Sequence, residues 1–162
     1  MRSATPVGNP VNLPDFAARV CQQIPLLAAM QVDFIHYSGD ALSLGMPLAP
    51  NINDKQTGFG GSIAALATAC GWALISLALK EESLNVDVMV IKSEMHYLAP
   101  VTGDCQARGE MSPVERMHML QQMTTKGRVK KELVLEVYLG EARVATCKAT
   151  YLAKLVQEQP SV

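Results

Sequence analysis

The sequence offers no C-x-x-C pair, no Cys/His cluster at ligand spacing and no excess of one charge. Cys21, Cys70, Cys105 and Cys147 are scattered, which argues against a disulfide framework or a zinc site and for reduced, mostly packed thiols. Lys and Arg total 14 against 15 Asp and Glu, a net charge of −1, so there is no overall basic field to hold nucleic acid or an anionic membrane. The opening "MRSATPVGNPVNLPDFAARV" places Pro, Asn and Asp where a signal peptide needs an unbroken apolar run, and the expected location is cytoplasmic. Internal repeats and low-complexity segments are also missing, and the only Pro/Gly-rich stretch is the start. The expected organisation is an arm over 1–14, a single domain over 15–157 and a short tail over 158–162.

What is present is a chain of 162 residues, 49% hydrophobic, enough for one domain with one core. Phe16, Val20, Ile24 and Leu27 recur at helical spacing behind Pro14 and Asp15, which predicts one helix from Asp15 to Met30. "QVDFIHYSG" and "ALSLGMPLAP" read as a hairpin turning at Gly39-Asp40, with Pro50 ending the second strand. In "VDVMVIKSEMHYLAPVTGD" the apolar parity moves from Val86, Val88 and Val90 to Met89, Ile91, Met95 and Tyr97, which predicts a bulge near Ile91. "DCQARGEM" continues as a strand after the Pro100–Gly103 turn, "SPVERMHMLQQMTTKG" is either a short helix or a loop, and strands over 129–139 and 142–155 meet at Gly140-Glu141. The plan is α-β-β-α-β-β-β-β with antiparallel neighbours.

The informative stretch is "NINDKQTGFGGSIAALATACGWALISLALK". From Ile63 to Leu79 only Thr68 and Ser76 are polar and both are small, so a helix of roughly 25 Å has no solvent-facing stripe and must be covered almost all round. A transmembrane reading fails on marginal length and on missing aromatic and basic anchors at the flanks. A curved antiparallel sheet wrapped around this helix, the hotdog architecture in an α+β domain, covers it better, and its alanines admit close strands.

Bare backbone at a buried helix N-terminus suits an oxygen that acquires negative charge, because free N–H groups with the helix dipole stabilise that charge. Gly60 and Gly61 clear a path for a carbonyl to reach the Gly61 N–H; equally, they could serve only a tight turn into the helix. Water must also be oriented, and the polar side chains at hand are Asn53, Asp54, Thr57 and Ser62, with Asp54 the nearby acid. Asp54 reads as well as a solvated loop residue or cap, and Thr68 as well as core filling. His36 and His96 fall mid-strand and His118 in a Met-rich segment with Met111, Met117, Met119 and Met123, where packing, along an acyl channel or otherwise, is the ordinary role. Lys126, Arg128, Lys130 and Lys131 form a basic run, expected on one side of a strand, that either meets substrate phosphates or is plain solvated surface. The glycines complete neither a dinucleotide fingerprint nor a P-loop.

"NINDKQTGFGGSIAALATACGWA" resembles the loop and central helix of hotdog-fold acyl-thioester hydrolases, where an Asn precedes His-Gly-Gly by six positions; "MHYLAPVTGD" and "YLGEARVATCKATYLAK" are similar to the strand, turn and final hairpin of those proteins. The resemblance covers about Val32 to Lys154 and is nearest to thioesterase domains of the YiiD C-terminal type, which share Phe-Gly-Gly and often follow a bacterial acetyltransferase domain; no such domain precedes the segment here, so the chain is a free-standing member or an excised piece. It puts Asn53 on the family Asn, Phe59 on the His, Gly60 and Gly61 on the glycines and Thr68 on the helical carboxylate; Phe59 and Thr68 depart from the pattern.

The resemblance implies a homodimer or dimer of dimers with a cleft between subunits, no resident cofactor, and coenzyme A or phosphopantetheine only as part of an acyl-CoA or acyl-carrier-protein substrate. The expected role is hydrolysis, with Asn53 positioning water or thioester, Asp54 or Thr68 assisting, Thr57, Phe59 and Ser62 lining the site, and Lys126 and Arg128 at the coenzyme. A non-catalytic acyl-thioester module is the alternative. "KQTGFG" also resembles the pyrophosphate loop of GNAT acetyltransferases, but four consecutive strands do not continue that fold.

Overall fold

The computed structural model describes residues 10–157. They run α1 (Leu13–Gln23), α2 (Pro25–Ala29), β1 (Asp33–Tyr37), β2 (Ala41–Met46), a 3-10 turn (Ala49–Asn51), α3 (Gly60–Glu81), β3 (Val86–Tyr97), β4 (Cys105–Glu110), α4 (Pro113–Lys126), β5 (Arg128–Leu139) and β6 (Ala142–Leu155). The expected tail over 158–162 and most of the arm lie outside the described residues.

One six-stranded antiparallel sheet, ordered β1-β2-β4-β5-β6-β3, curves around α3. This is the expected hotdog arrangement, and its core is the helix itself. Leu66, Leu74 and Leu77 are fully enclosed, each contributing about 2 kcal/mol by removal from water. By length and composition α3 could cross a membrane; here the sheet wraps it. Close wrapping depends on residue 71, where a Cβ would collide with the Tyr151 hydroxyl. That hydroxyl donates to the Thr68 carbonyl at 2.8 Å.

The enclosure is not complete, contrary to the expectation of a helix without a solvent stripe. Ala64, Thr68, Trp72 and Ser76, spaced by one turn, are half-buried. The edges β1 and β3 do not meet, and α1 closes only part of the gap by stacking Phe16 on Trp72 and edge-on against Phe34.

Local chemistry explains the other departures. The expected Asp15–Met30 helix is broken into α1 and α2, because Pro25 has no N–H to donate and its ring disfavours helical geometry at Ile24. β2 ends at Met46, before Pro47 rather than Pro50, and the Leu48 N–H turns to Asp104 Oδ1 at 2.9 Å. The ambiguous segment is the helix α4, so β4 and β5 are not consecutive in the chain. A reciprocal cap starts it: Ser112 Oγ accepts from the Glu115 N–H at 3.1 Å and Glu115 Oε2 from the Ser112 N–H at 2.8 Å. Met119 and Met123 are its buried underside. The bulge expected near Ile91 is present, as a register shift between Val90 and Lys92 against β6.

The basic run is not one face. Lys126 closes α4, Gly127 turns the chain, and Arg128 and Lys130 point outward from β5. Lys131 shares the inward parity of Val129 and Leu133 and reaches Glu115 Oε1 at 2.8 Å.

Candidate active site

The loop before α3 is held by its own hydrogen bonds. Ile52 and Gly58 form a β-bridge, and the Asn53 N–H donates to the Thr57 carbonyl at 2.8 Å. Asn53 Oδ1 accepts from the Lys55 and Thr57 N–H groups at 2.8 and 3.1 Å. Its Nδ2 donates to Thr57 Oγ1 at 2.9 Å and to the Gly58 carbonyl at 3.4 Å. The Asn53 amide is therefore committed to the loop. The Gly58 N–H donates to the Val101 carbonyl and the Phe59 N–H to the Asn51 carbonyl, both at 2.7 Å, which docks the loop on the turn after β3 and on the 3-10 turn.

Past this anchorage the helix opens uncapped. Phe59 sits at the N-cap with extended backbone, and its side chain makes no capping bond. The first N–H of the helical ladder with an acceptor is that of Ile63, on the Phe59 carbonyl at 3.1 Å. The N–H groups of Gly60, Gly61 and Ser62 have no acceptor among the described residues, as the first turn of a helix without a side-chain cap requires. They are concentrated at the positive end of the dipole of a largely buried helix.

Around these donors the surface is mixed. The Phe59 ring lies against Gly61 yet is 54% exposed, so it flanks the donors without sealing them. The Tyr97 hydroxyl donates to the Gly60 carbonyl at 2.7 Å. Thr68 is two turns on, about 10 Å along the axis and on the same side as Gly61. Its hydroxyl is half-buried and donates back to the Ala64 carbonyl. Asp54 is exposed and pairs with Lys55 at 3.2 Å.

The structure thus brings Asn53, Thr57, Phe59, Gly60, Gly61 and Ser62 together at the mouth of α3, with Asp54 outside and Thr68 further along the helix. It does not bring Lys126 and Arg128 there within one chain. Arg128 pairs through Lys154 with Asp87 at the start of β3, whereas Tyr97 at its end touches Gly60; the separation along the strand is about 33 Å. Sequence reasoning missed Tyr97 as a site residue, because its contact depends on how β3 crosses the helix start, which no local pattern encodes. It also missed Asn51, which is buried and donates from Nδ2 to the Met30 and Pro47 carbonyls at 2.9 and 2.8 Å while its Oδ1 has no partner.

Other nucleophiles are remote or muted. Burial pushes the Cys70 thiol up to about 12 and the Cys105 thiol up to about 11, so neither offers a thiolate near neutral pH. His36, His96 and His118 are exposed, and His96 sits 2.8 Å from Glu94 Oε1. Among the described residues no three His, Cys, Asp or Glu side chains cluster closely enough to hold a metal ion.

Comparison with known proteins agrees with this architecture. Residues 13–155 match the family described as "Putative thioesterase (yiiD_Cterm)". A solved structure described as the putative thioesterase from Shewanella oneidensis is 26% identical, with a TM-score of 0.78 over 88% of this chain and 96% of that one. One from Chlorobaculum tepidum, described as of unknown function, is 27% identical, with a TM-score of 0.82 over 88% of this chain and 94% of that one. A Pseudomonas aeruginosa structure described as a probable thioesterase shares the fold at 19% identity, with a TM-score of 0.77 over 90% of this chain and 99% of that one.

Proposed function

Because the chain belongs to the putative thioesterase (yiiD_Cterm) family, we propose that it hydrolyses acyl thioesters of coenzyme A or acyl carrier protein, with the acyl carbonyl docked on the N-terminus of α3. The observation that carries this reading is the set of N–H groups at Gly60, Gly61 and Ser62, without an acceptor among the described residues, on a largely buried helix. Water adds to the thioester carbon and gives up one proton, the carbonyl oxygen takes the charge against those donors, and collapse breaks the C–S bond, the sulfur taking up that proton to leave as the thiol while the free acid remains. Asn53 acts as a positioning residue through the loop it closes, and Thr68 or Asp54 orients the water. Release of free thiol across acyl-CoA and acyl-carrier substrates of graded chain length tests the reading; no release from any of them contradicts it.

The working unit in this reading is a homodimer or a dimer of dimers. The outer edge of β3 has no strand partner among the described residues, and Met89, Val90, Ile91, Tyr97 and Leu98 are exposed along it with Lys92, Ser93, Glu94 and His96 between them, a long unpaired edge of the kind proteins cover. Light scattering at micromolar concentration tests this, and a persistent monomer contradicts it.

A second reading, an acyl-thioester binding module without turnover, is favoured by one specific feature. Thr68 stands where the resembled hydrolases carry a helical carboxylate, and Asp54 is exposed and paired with Lys55. Saturable acyl-CoA binding without thiol release would establish it in place of hydrolysis.

A further inference from the structure

A groove of about 1150 Å³ lies away from the glycine loop, between α1, the second half of α3 and the first half of β3. It is separate from the mouth of α3 and runs along the first residues of the edge strand β3. One stretch of it is apolar: the Phe16 and Trp72 rings stack with centroids 6.2 Å apart, beside Val88. The Trp72 indole N–H is already bonded to the Val88 carbonyl at 2.8 Å and Phe16 is buried against the indole, so this stretch offers the half-buried Trp72 as an apolar surface rather than a donor. Further on, Arg19 of α1 and Lys80 of α3 both line the groove. Lys80 lies two turns past Trp72, about 12 Å along the axis.

The two cations are not accounted for by carboxylates. Asp15 lies one turn before Arg19 on the same helix face and Asp87 lines the opposite wall, yet neither Arg19 nor Lys80 is in any ion pair among the described residues. Glu81 and Glu82, next to Lys80, are engaged by Arg116 at 2.8 and 3.3 Å. A lysine in the last turn of a helix is favoured by the terminal carbonyls, but that accounts for Lys80 alone and not for a second cation beside it. Partial burial, and then the Arg19 charge, hold the Lys80 ammonium below its ordinary pKa.

We propose that this groove binds a small amphiphilic carboxylate, its apolar body against Trp72 and Val88 and its carboxylate between Arg19 and Lys80. Along α3 the two ends, Trp72 and Lys80, are about 12 Å apart, the reach of a medium-length acyl chain, and the charge at the far end selects an acid over an alcohol or amine. Binding here is independent of whether the mouth of α3 hydrolyses thioesters.

The chain has one tryptophan, Trp72, so its intrinsic fluorescence reports the groove directly. Titration of the full chain with sodium octanoate gives a saturable change in Trp72 emission, and octanol gives none over the same range. Arg19→Gln with Lys80→Gln, which keep polar stems on the two helices, weakens octanoate binding by about tenfold or more. Three results overturn the proposal: no saturable response to octanoate, an equal response to octanol, or undiminished affinity in the glutamine variants. The contrast between octanoate and octanol needs only the unmodified protein, so it decides the matter even if the variants fold poorly.

Discussion

The ring of Phe59 rests against Gly61 so closely that a Cβ on residue 61 would stand 2.5 Å from Cε1. The residue that fills the position of a histidine in the resembled hydrolases therefore constrains the residue whose N–H is proposed to meet the substrate. Gly61→Ala should force the exposed ring aside at little cost, while alanine gains about 0.5–1 kcal/mol over glycine as a helix former. The expected outcome is an unchanged or raised melting temperature with kcat/KM lowered about tenfold, because a 1 Å displacement at the docking point is costly. Thermal melting with a thiol-release assay on one preparation checks both halves.

The fit of Tyr151 over Gly71 is the converse case, a close approach in the core. Gly71→Ala cannot be relieved by a flexible tip, since the Tyr151 ring is fully buried. We expect it to cost about 1–3 kcal/mol, and Tyr151→Phe, which orphans one acceptor on the Thr68 carbonyl, about 1 kcal/mol. Urea unfolding midpoints measure both; a neutral Gly71→Ala would mean that the sheet is less tightly wrapped than described.

Thr68 separates catalysis from packing. Thr68→Val preserves shape and removes a hydroxyl now directed back at the Ala64 carbonyl. If Thr68 orients water, kcat falls about tenfold with stability changed by less than about 0.5 kcal/mol. Equal turnover in Thr68→Val and wild type removes Thr68 from the mechanism and leaves Asp54→Ala as the variant to assay.

Acid stability should report the α4 cap. The Lys131 ammonium, with the Ser112 N–H, holds Glu115 down to about 2 from its ordinary 4.5. A carboxylate with a depressed folded pKa contributes stability above its unfolded value and loses that contribution as pH falls through the folded one. Wild type should thus exceed Glu115→Gln by a constant margin above about pH 5 and lose that margin toward pH 2. Melting temperatures across that range provide the check, and a margin that persists at pH 2 would show that the cap does not titrate.

Much of this fold is legible in the sequence because its signals are periodic. The uninterrupted apolar run of α3 requires a wrapping sheet, and the parity change at Ile91 marks a bulge that the β3–β6 register contains. Where the reading failed, nonlocal geometry or one proline had decided the matter: Pro25 split a well-patterned helix, and the half-open flank of α3 depends on where β1 and β3 stop. The candidate site was partly legible. The glycines mark the helix mouth, but the Tyr97 contact and the engagement of the Asn53 amide within its own loop arise only once the chain is folded.

The central claim is that the N–H at residue 61 receives the acyl oxygen. Gly61→Pro removes that donor in the first helical turn, where no ladder bond is lost, and Gly61→Ala adds a Cβ while keeping the donor. The direct measurement is the ratio of kcat for these two variants in thiol release from one acyl-CoA. The account predicts that the proline variant is slower by about a hundredfold or more at a comparable melting temperature; equal turnover in the two would contradict it.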